Sequence, residues 1–213
     1  MFKPKFIIFD WNGTLIDDVW LSVNAINLIL ERRNMPLITT ERYKEIFDFP
    51  VKKYYKQLGL DTENDWEGIA GEFIDCYLGS LEKIKLFHDV VDTIGYLKTK
   101  GVETGILSAM QHEGLNRHVK MLRIDHFFKF VQGIENYYAE GKSHLGRKLL
   151  ADTGLKGQEL LFIGDTTHDF DVANEIGCQT VLISRGHNSP ERLSATGAYV
   201  TGSLGDLKNI IDL

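Results

Sequence analysis

Phe6-Ile7-Ile8-Phe9-Asp10-Trp11-Asn12-Gly13-Thr14-Leu15 is the stretch on which the reading of the fold turns. An apolar run ends in a carboxylate and is followed by a turn containing glycine and threonine. A strand buried on both faces, delivering Asp10 to the lip of a sheet, has this pattern. Leu160-Leu161-Phe162-Ile163-Gly164-Asp165 repeats it, again ending in a carboxylate. Residues 103–108, 128–131 and 180–183 add three more short strands, the first of them ending at Ser108. Helical patterns separate them over residues 89–100, 113–122, 143–153 and 169–176, and Gly101, Gly154 and Gly177 close three of these. Short helices follow near residues 190–196 and 204–211. Strands alternating with helices predict an α/β fold, a doubly wound parallel sheet of five strands. Ligands bind such sheets at the carboxyl ends of the strands, where Asp10, Ser108 and Asp165 all fall.

The stretch between the first two strands reads differently. Val19, Val23, Ile26 and Leu30 recur at helical spacing behind Asp17-Asp18, a pair suited to a helix N-terminus. Asn34-Met35-Pro36 stops that helix. Thr39-Thr40-Glu41 starts a second, Pro50 a third, and residues 62–83 read as a long fourth, weakened by Gly68, Gly71 and Gly79. An all-helical block between strands predicts an inserted domain at residues 17–84, with residues 1–16 and 85–213 forming the core domain.

Composition narrows the function. The 213 residues suffice for a full core, and 43% hydrophobic with 25% charged residues is ordinary for a globular protein. A net charge of −6 without a basic run gives no support to a nucleic-acid partner. No apolar stretch approaches the ~20 residues of a membrane span, so no membrane partner is expected. The N-terminus runs straight into a strand with no signal segment, and Cys76 and Cys178 are isolated in apolar context. Both features fit a cytoplasmic protein.

Two strand-end carboxylates brought together repel unless neutralised, and Mg²⁺ is the natural remedy. Asp169 lies one helical turn after Asp165. Ser108 offers a hydroxyl, the turn amides after Asp10 form an anion nest, and Lys142 is a cation just before a helix N-terminus. These parts describe a phosphoryl site. Asp10 would be the nucleophile, with Ser108, Lys142 and the amides stabilising charge on the transferring group.

Asp-Trp-Asn-Gly-Thr-Leu at 10–15, Ser108, Lys142 and Gly-Asp-Thr-Thr-His-Asp at 164–169 resemble the four ordered motifs of the haloacid dehalogenase-like hydrolase superfamily. The helical block resembles the cap of its phosphoglycolate phosphatase and β-phosphoglucomutase branch. The resemblance implies strand order 3-2-1-4-5 and a phosphoryl intermediate on Asp10. It implies Mg²⁺ held by Asp10, the backbone carbonyl of Asn12, and Asp165, with Asp169 in support. It also implies substrate contacts from Gly13, Thr14, Ser108, Ala109 and Lys142, and a small phosphorylated metabolite as substrate.

Phosphatases of that superfamily usually carry a second aspartate, an acid/base, two residues after the nucleophile. Here that position is Asn12, and losing a general acid/base costs about 10²–10⁴ in rate. Three readings stay open: a slow phosphatase or one whose leaving group needs little help, such as an acyl phosphate; a hydrolase with another proton carrier, His112 or His168; and a non-hydrolytic binder of Mg²⁺ and phosphate. A phosphonate hydrolase would need a lysine on the first cap helix, and residues 18–34 have none. His187 and Arg147 read as structural or solvent-facing, Asp171 as surface, and Tyr43, Tyr54, Tyr55 and Trp66 as cap core.

Overall fold

A computed structural model describes residues 3–135 and 142–212. The chain enters through strand β1 (Phe6–Phe9) and a short β2 (Ile16–Asp17). Four helices follow: α1 (Val19–Arg32), α2 (Thr40–Ile46), α3 (Val51–Gln57) and α4 (Trp66–Leu78). The fourth is shorter than its apolar stripe suggests, because Gly79 caps it and a turn of 3₁₀ helix takes Leu81–Lys83. β3 (Lys85–Leu86) pairs antiparallel with β2, so the two ends of the helical block are hydrogen-bonded side by side. Then come α5 (Val90–Thr99), β4 (Glu103–Gln111), α6 (His112–Met121), β5 (Phe130–Ile134) and α7 (Ser143–Thr153). The chain continues with β6 (Leu160–Gly164), α8 (Thr167–Glu175), β7 (Gln179–Ile183), α9 (Pro190–Ala195), β8 (Tyr199–Thr201) and α10 (Leu207–Ile210).

The α/β class is as expected, but the main sheet has six strands among the described residues, not five, in the order β5-β4-β1-β6-β7-β8. The added strand β8 joins the β7 edge in parallel. Its three residues are too few for period-two alternation to register in the sequence. β4 also runs past Ser108 to Gln111, with an irregularity in its pairing to β5 between Leu107 and Gln111. Ser108 therefore sits within a strand rather than at its end.

Alternation along β1 and β6 builds both faces of the sheet. Ile7, Phe9, Leu161 and Ile163 join one buried cluster with Ile94, Leu97, Leu115 and Val119 of α5 and α6. Phe6, Ile8, Leu160 and Phe162 join the other with Leu145, Leu149 and Val172 of α7 and α8. The near-continuous apolar run in each strand is the consequence of this two-sided burial. A third cluster, with Val23, Ile26, Tyr43, Tyr54 and Ile69, holds the four helices of the inserted block together.

The register fixes the chemistry at one edge. Phe9 stands beside Ile106 on one side and Ile163 on the other. The next residues in line, Asp10 and Gly164-Asp165, therefore emerge together.

One ion pair braces this edge. Arg185, just after β7, donates to both oxygens of Asp89 at 2.8 Å and to the Thr14 carbonyl at 3.1 Å, with its guanidinium 3.8 Å from the Phe87 ring centre. Ser203 Oγ and the Leu204 amide complete the set on Asp89. Burial alone would raise the Asp89 carboxyl, but Ser203 and Arg185 outweigh it and hold it below the usual carboxylate range. Asp89→Asn strands the Arg185 charge and is expected to cost about 2–4 kcal/mol, a drop of roughly 5–10 °C in Tm. Because the folded-state pKa is depressed, this contribution is complete above about pH 4 and is lost as pH falls through the folded value. Thermal melts of wild type and variant should accordingly converge on acidification; a gap independent of pH would contradict this account.

Candidate active site

Asp10, Asp165 and Asp169 are all buried, and each offers a carboxylate oxygen within 4.8 Å of the others. Asp165 follows β6 directly. Asp169 lies in the first turn of α8, where its Oδ2 accepts from the Asp165 and Thr166 amides at 3.0 and 2.9 Å and from Thr166 Oγ1 at 2.7 Å. This capping box aims the other oxygen, Oδ1, back at the strand ends. Gly164 permits the approach, since a Cβ there would overlap the Asp169 carboxylate.

Lys142 is 2% exposed, at the N-cap position of α7. Its Nζ donates to Asp10 Oδ1, lies 2.7 Å from Asp169 Oδ1, and donates to the Leu107 carbonyl at 3.0 Å. Two ammonium donors are thereby used, and the charge is paired with both carboxylates. Glu140 and Gly141, which precede it in the sequence motif, lie outside the described residues. Asp165 accepts from Thr14 Oγ1 at 2.7 Å through one oxygen and from the His187 amide at 2.6 Å through the other.

The electrostatics leave a deficit of positive charge. Burial raises Asp10 well above the usual carboxylate range even with Lys142 beside it, and pushes Asp165 up to about 6. For Asp169, Lys142 and Thr166 overcome burial and hold the carboxyl down. Three carboxylates face one ammonium, and the donor set is all oxygen. Such a set fits a divalent oxygen-seeking cation.

The turn after Asp10 departs from expectation. The sequence pattern makes Asp18 a helix-start carboxylate, yet it makes no cap bond to α1. Four donors draw it back into the site. Oδ1 accepts from the Gly13 amide at 2.8 Å and lies 3.2 Å from His187 Nε2. Oδ2 accepts from Asn12 Nδ2 at 2.8 Å and from the Tyr77 hydroxyl at 2.7 Å. Asn12 Nδ2 also donates to Tyr77 Oη at 2.7 Å, so both its hydrogens are used. Burial opposes charge on both Asp18 and His187, but each favours the other's charged form. Asp18 is held low and His187 is raised to about 9.

The expected residues are thus brought together with different partners. Gly13 has a positive φ of 70°, and a Cβ there would overlap Asp165 and His187. Its amide is taken by Asp18 rather than left open to an anion, and the Thr14 hydroxyl is turned to Asp165. Ser108 Oγ accepts from the Met110 amide at 3.0 Å and lies 3.5 Å from Asn12 Oδ1. Ala109 lines the cavity. His112 and His168 do not line it. His112 Nδ1 accepts from the Gly133 amide, and His168 Nε2 accepts from the Lys142 amide. Arg147 pairs with Glu175 at the surface, and Asp171 is exposed. His187, read as structural or solvent-facing, is buried beside the cluster, with Nδ1 2.8 Å from the Tyr43 hydroxyl. Its signal in the sequence is its place shortly after the fifth expected strand, on the edge that carries Asp10.

A cavity of about 170 Å³ opens on this constellation. Its wall includes Asp10, Lys142 and Asp169 on one side and Phe47, Tyr54, Trp66 and Phe73 on the other. The aromatics expected in the cap core are buried in the helical block and line this cavity as well.

The model of the haloacid dehalogenase-like hydrolases matches residues 7–183. The chain belongs to this family. A phosphoglycolate phosphatase of Pseudomonas putida is 23% identical over 200 residues, covering 90% of this chain and 74% of its own. A pyrophosphatase of Anoxybacillus flavithermus is 23% identical over 207 residues, covering 96% and 95%. Among solved structures, a haloacid dehalogenase-like family hydrolase of Streptococcus pneumoniae superposes with a TM-score of 0.85 at 20% identity, covering 97% of this chain and 98% of its own. As a member of the family the chain shares its α/β fold. Among the described residues no helix is long and apolar enough to cross a membrane.

Proposed function

We propose that this haloacid dehalogenase-like protein is a Mg²⁺-dependent phosphatase of a small phosphorylated metabolite, acting in the cytoplasm. The observation that carries the reading is Lys142, buried and ion-paired with both Asp10 and Asp169 at a half-open cavity. A buried lysine holding two carboxylates beside a third is costly to build and suits a dianionic phosphoryl group. In this reading residues 17–84 form the cap, residues 1–16 and 85–213 the core, and the cap excludes water.

Asp10 supplies a carboxylate oxygen that bonds to phosphorus as the bond to the leaving oxygen breaks. Water then attacks the phosphoryl group on Asp10, the electron pair of the broken bond returns to the carboxylate, and the water proton passes to solvent. Lys142 and the Ser108 hydroxyl stabilise charge on the transferring group. Asp10, the Asn12 carbonyl, Asp165 and Asp169 would hold Mg²⁺, which supplies Lewis-acid charge neutralisation when bound.

Turnover of 4-nitrophenyl phosphate with Mg²⁺, lost on chelation, is the expected result. Magnesium binding without turnover on any phosphate would instead support a non-hydrolytic binder. The fully bonded Asn12 amide, which has no proton to give, favours that second reading. Asn12→Asp tests it. The new carboxyl would lie at hydrogen-bonding distance from Asp18, and two carboxyls this close raise the pKa of one, making an acid. Hydrolysis of alkyl phosphates should rise about 10–100-fold if a missing acid limits the rate; an unchanged or lower rate would sink that explanation.

A further inference from the structure

The cavity's distribution of charge restricts what it can hold. Among the described residues, Lys142 is the only lysine or arginine in its wall; it donates to Asp10 and the Leu107 carbonyl and lies 2.7 Å from Asp169 Oδ1. His187 also lines it, but its Nε2 faces Asp18 and its Nδ1 faces the Tyr43 hydroxyl. Ser22, Gln111 and Thr166 add polar groups to the wall, but most of the rest is rings and aliphatic carbon, Phe47, Phe49, Tyr55, Trp66, Phe73 and Ile74 among them. A second anionic group on the substrate would find no second lysine or arginine there to pair with. Phosphoglycolate, named in several relatives, carries such a group.

The size points the same way. An engineered apolar cavity of ~150 Å³ takes up benzene. A cavity of about 170 Å³ therefore suits one ring beside the phosphoryl position.

The leaving group supplies an independent argument. Asn12 has no proton to give, and both its amide hydrogens are bonded. A phenolate, the conjugate base of a group with pKa near ~10, departs with little protonation. An alkoxide, a far stronger base, does not.

We infer that the substrate is an aryl phosphate monoester with a neutral single ring. This rests on the phosphatase reading above. Asp10 oxygen bonds to phosphorus as the bond from phosphorus to the aryl oxygen breaks. The bonding pair leaves on the phenolate, which takes its proton from solvent, and the phosphoryl group stays on Asp10 until water removes it. The ring sits among Tyr55, Trp66 and Phe73.

Rates alone would confuse ring recognition with leaving-group reactivity, so the test uses phosphonates that cannot be cleaved. Calorimetric titration of the Mg²⁺-loaded protein is expected to show benzylphosphonate binding at least tenfold tighter than phosphonoacetate, the carboxylated analogue. Phe73→Leu should narrow that preference by about 3–10-fold. Equal or tighter binding of phosphonoacetate overturns the inference, and so does a preference for benzylphosphonate that Phe73→Leu leaves unchanged. Acetyl phosphate turnover in parallel separates the two levels of argument. If it is hydrolysed while phosphonoacetate wins, the aryl assignment alone fails. If no phosphate is turned over and neither phosphonate binds, the phosphatase reading fails with it.

Discussion

Asp10→Asn is expected to reduce kcat/KM on 4-nitrophenyl phosphate by at least about 10⁴-fold, because an amide oxygen cannot replace the attacking carboxylate. Rapid-quench kinetics should show loss of any phosphoryl-enzyme burst at the same time. The fold should survive. Asp10 has a folded-state pKa raised by burial, so stability falls as pH rises from the unfolded value toward the folded one. Burial disfavours its charged form, and Asn carries no charge to bury. In chelator, the variant should therefore melt no lower than wild type. Activity within tenfold of wild type would remove Asp10 from the nucleophile's role, and a collapsed melt would show that its charge is structural.

Lys142→Met is expected to damage both activity and stability. The lysine donates to Asp10 and the Leu107 carbonyl and forms an ion pair with Asp169. Methionine keeps the length of the stem but leaves two buried carboxylates without their cation, at a cost of about 3–5 kcal/mol. Loss of a charge aimed at the transferring group should lower kcat about 10²–10³-fold. The two effects separate with Mg²⁺. A dication at the Asp10, Asp165 and Asp169 cluster restores part of the missing charge, so Mg²⁺ should raise the variant's Tm more than the wild type's. An equal Tm rise in both proteins would mean that the ion does not share the site with Lys142.

Much of this arrangement is legible in the amino-acid sequence. Apolar runs ending in Asp10 and Asp165 report strands buried on both faces, and burial on both faces is a strong one-dimensional signal. Lys142 is legible as a cation before a helix, though only folding shows that it is buried. Asp18 is not legible, because a carboxylate before an apolar helix looks the same whether it caps the helix or turns away. The difference depends on Tyr77, 59 residues later, and His187, 169 residues later. β8 escapes notice because three residues on a sheet edge carry almost no pattern. The aromatic wall reads correctly as core, but a core residue that also faces a cavity leaves no separate trace in sequence.

The shared hydrogen bond between Asn12 and Asp18 makes these two positions a historical pair. A lineage that put an aspartate at position 12 while Asp18 remained would bring two buried carboxyls to hydrogen-bonding distance, with one forced to keep a proton. A lineage that first replaced Asp18 by a neutral residue would meet no such repulsion. It would, however, free the Asn12 amide and leave the His187 charge unmatched. Neither single step is neutral, and the effect of each depends on the state of the other. The order in which such substitutions accumulate is therefore constrained, so descendants of this chain would cross between the two states by few of the available routes.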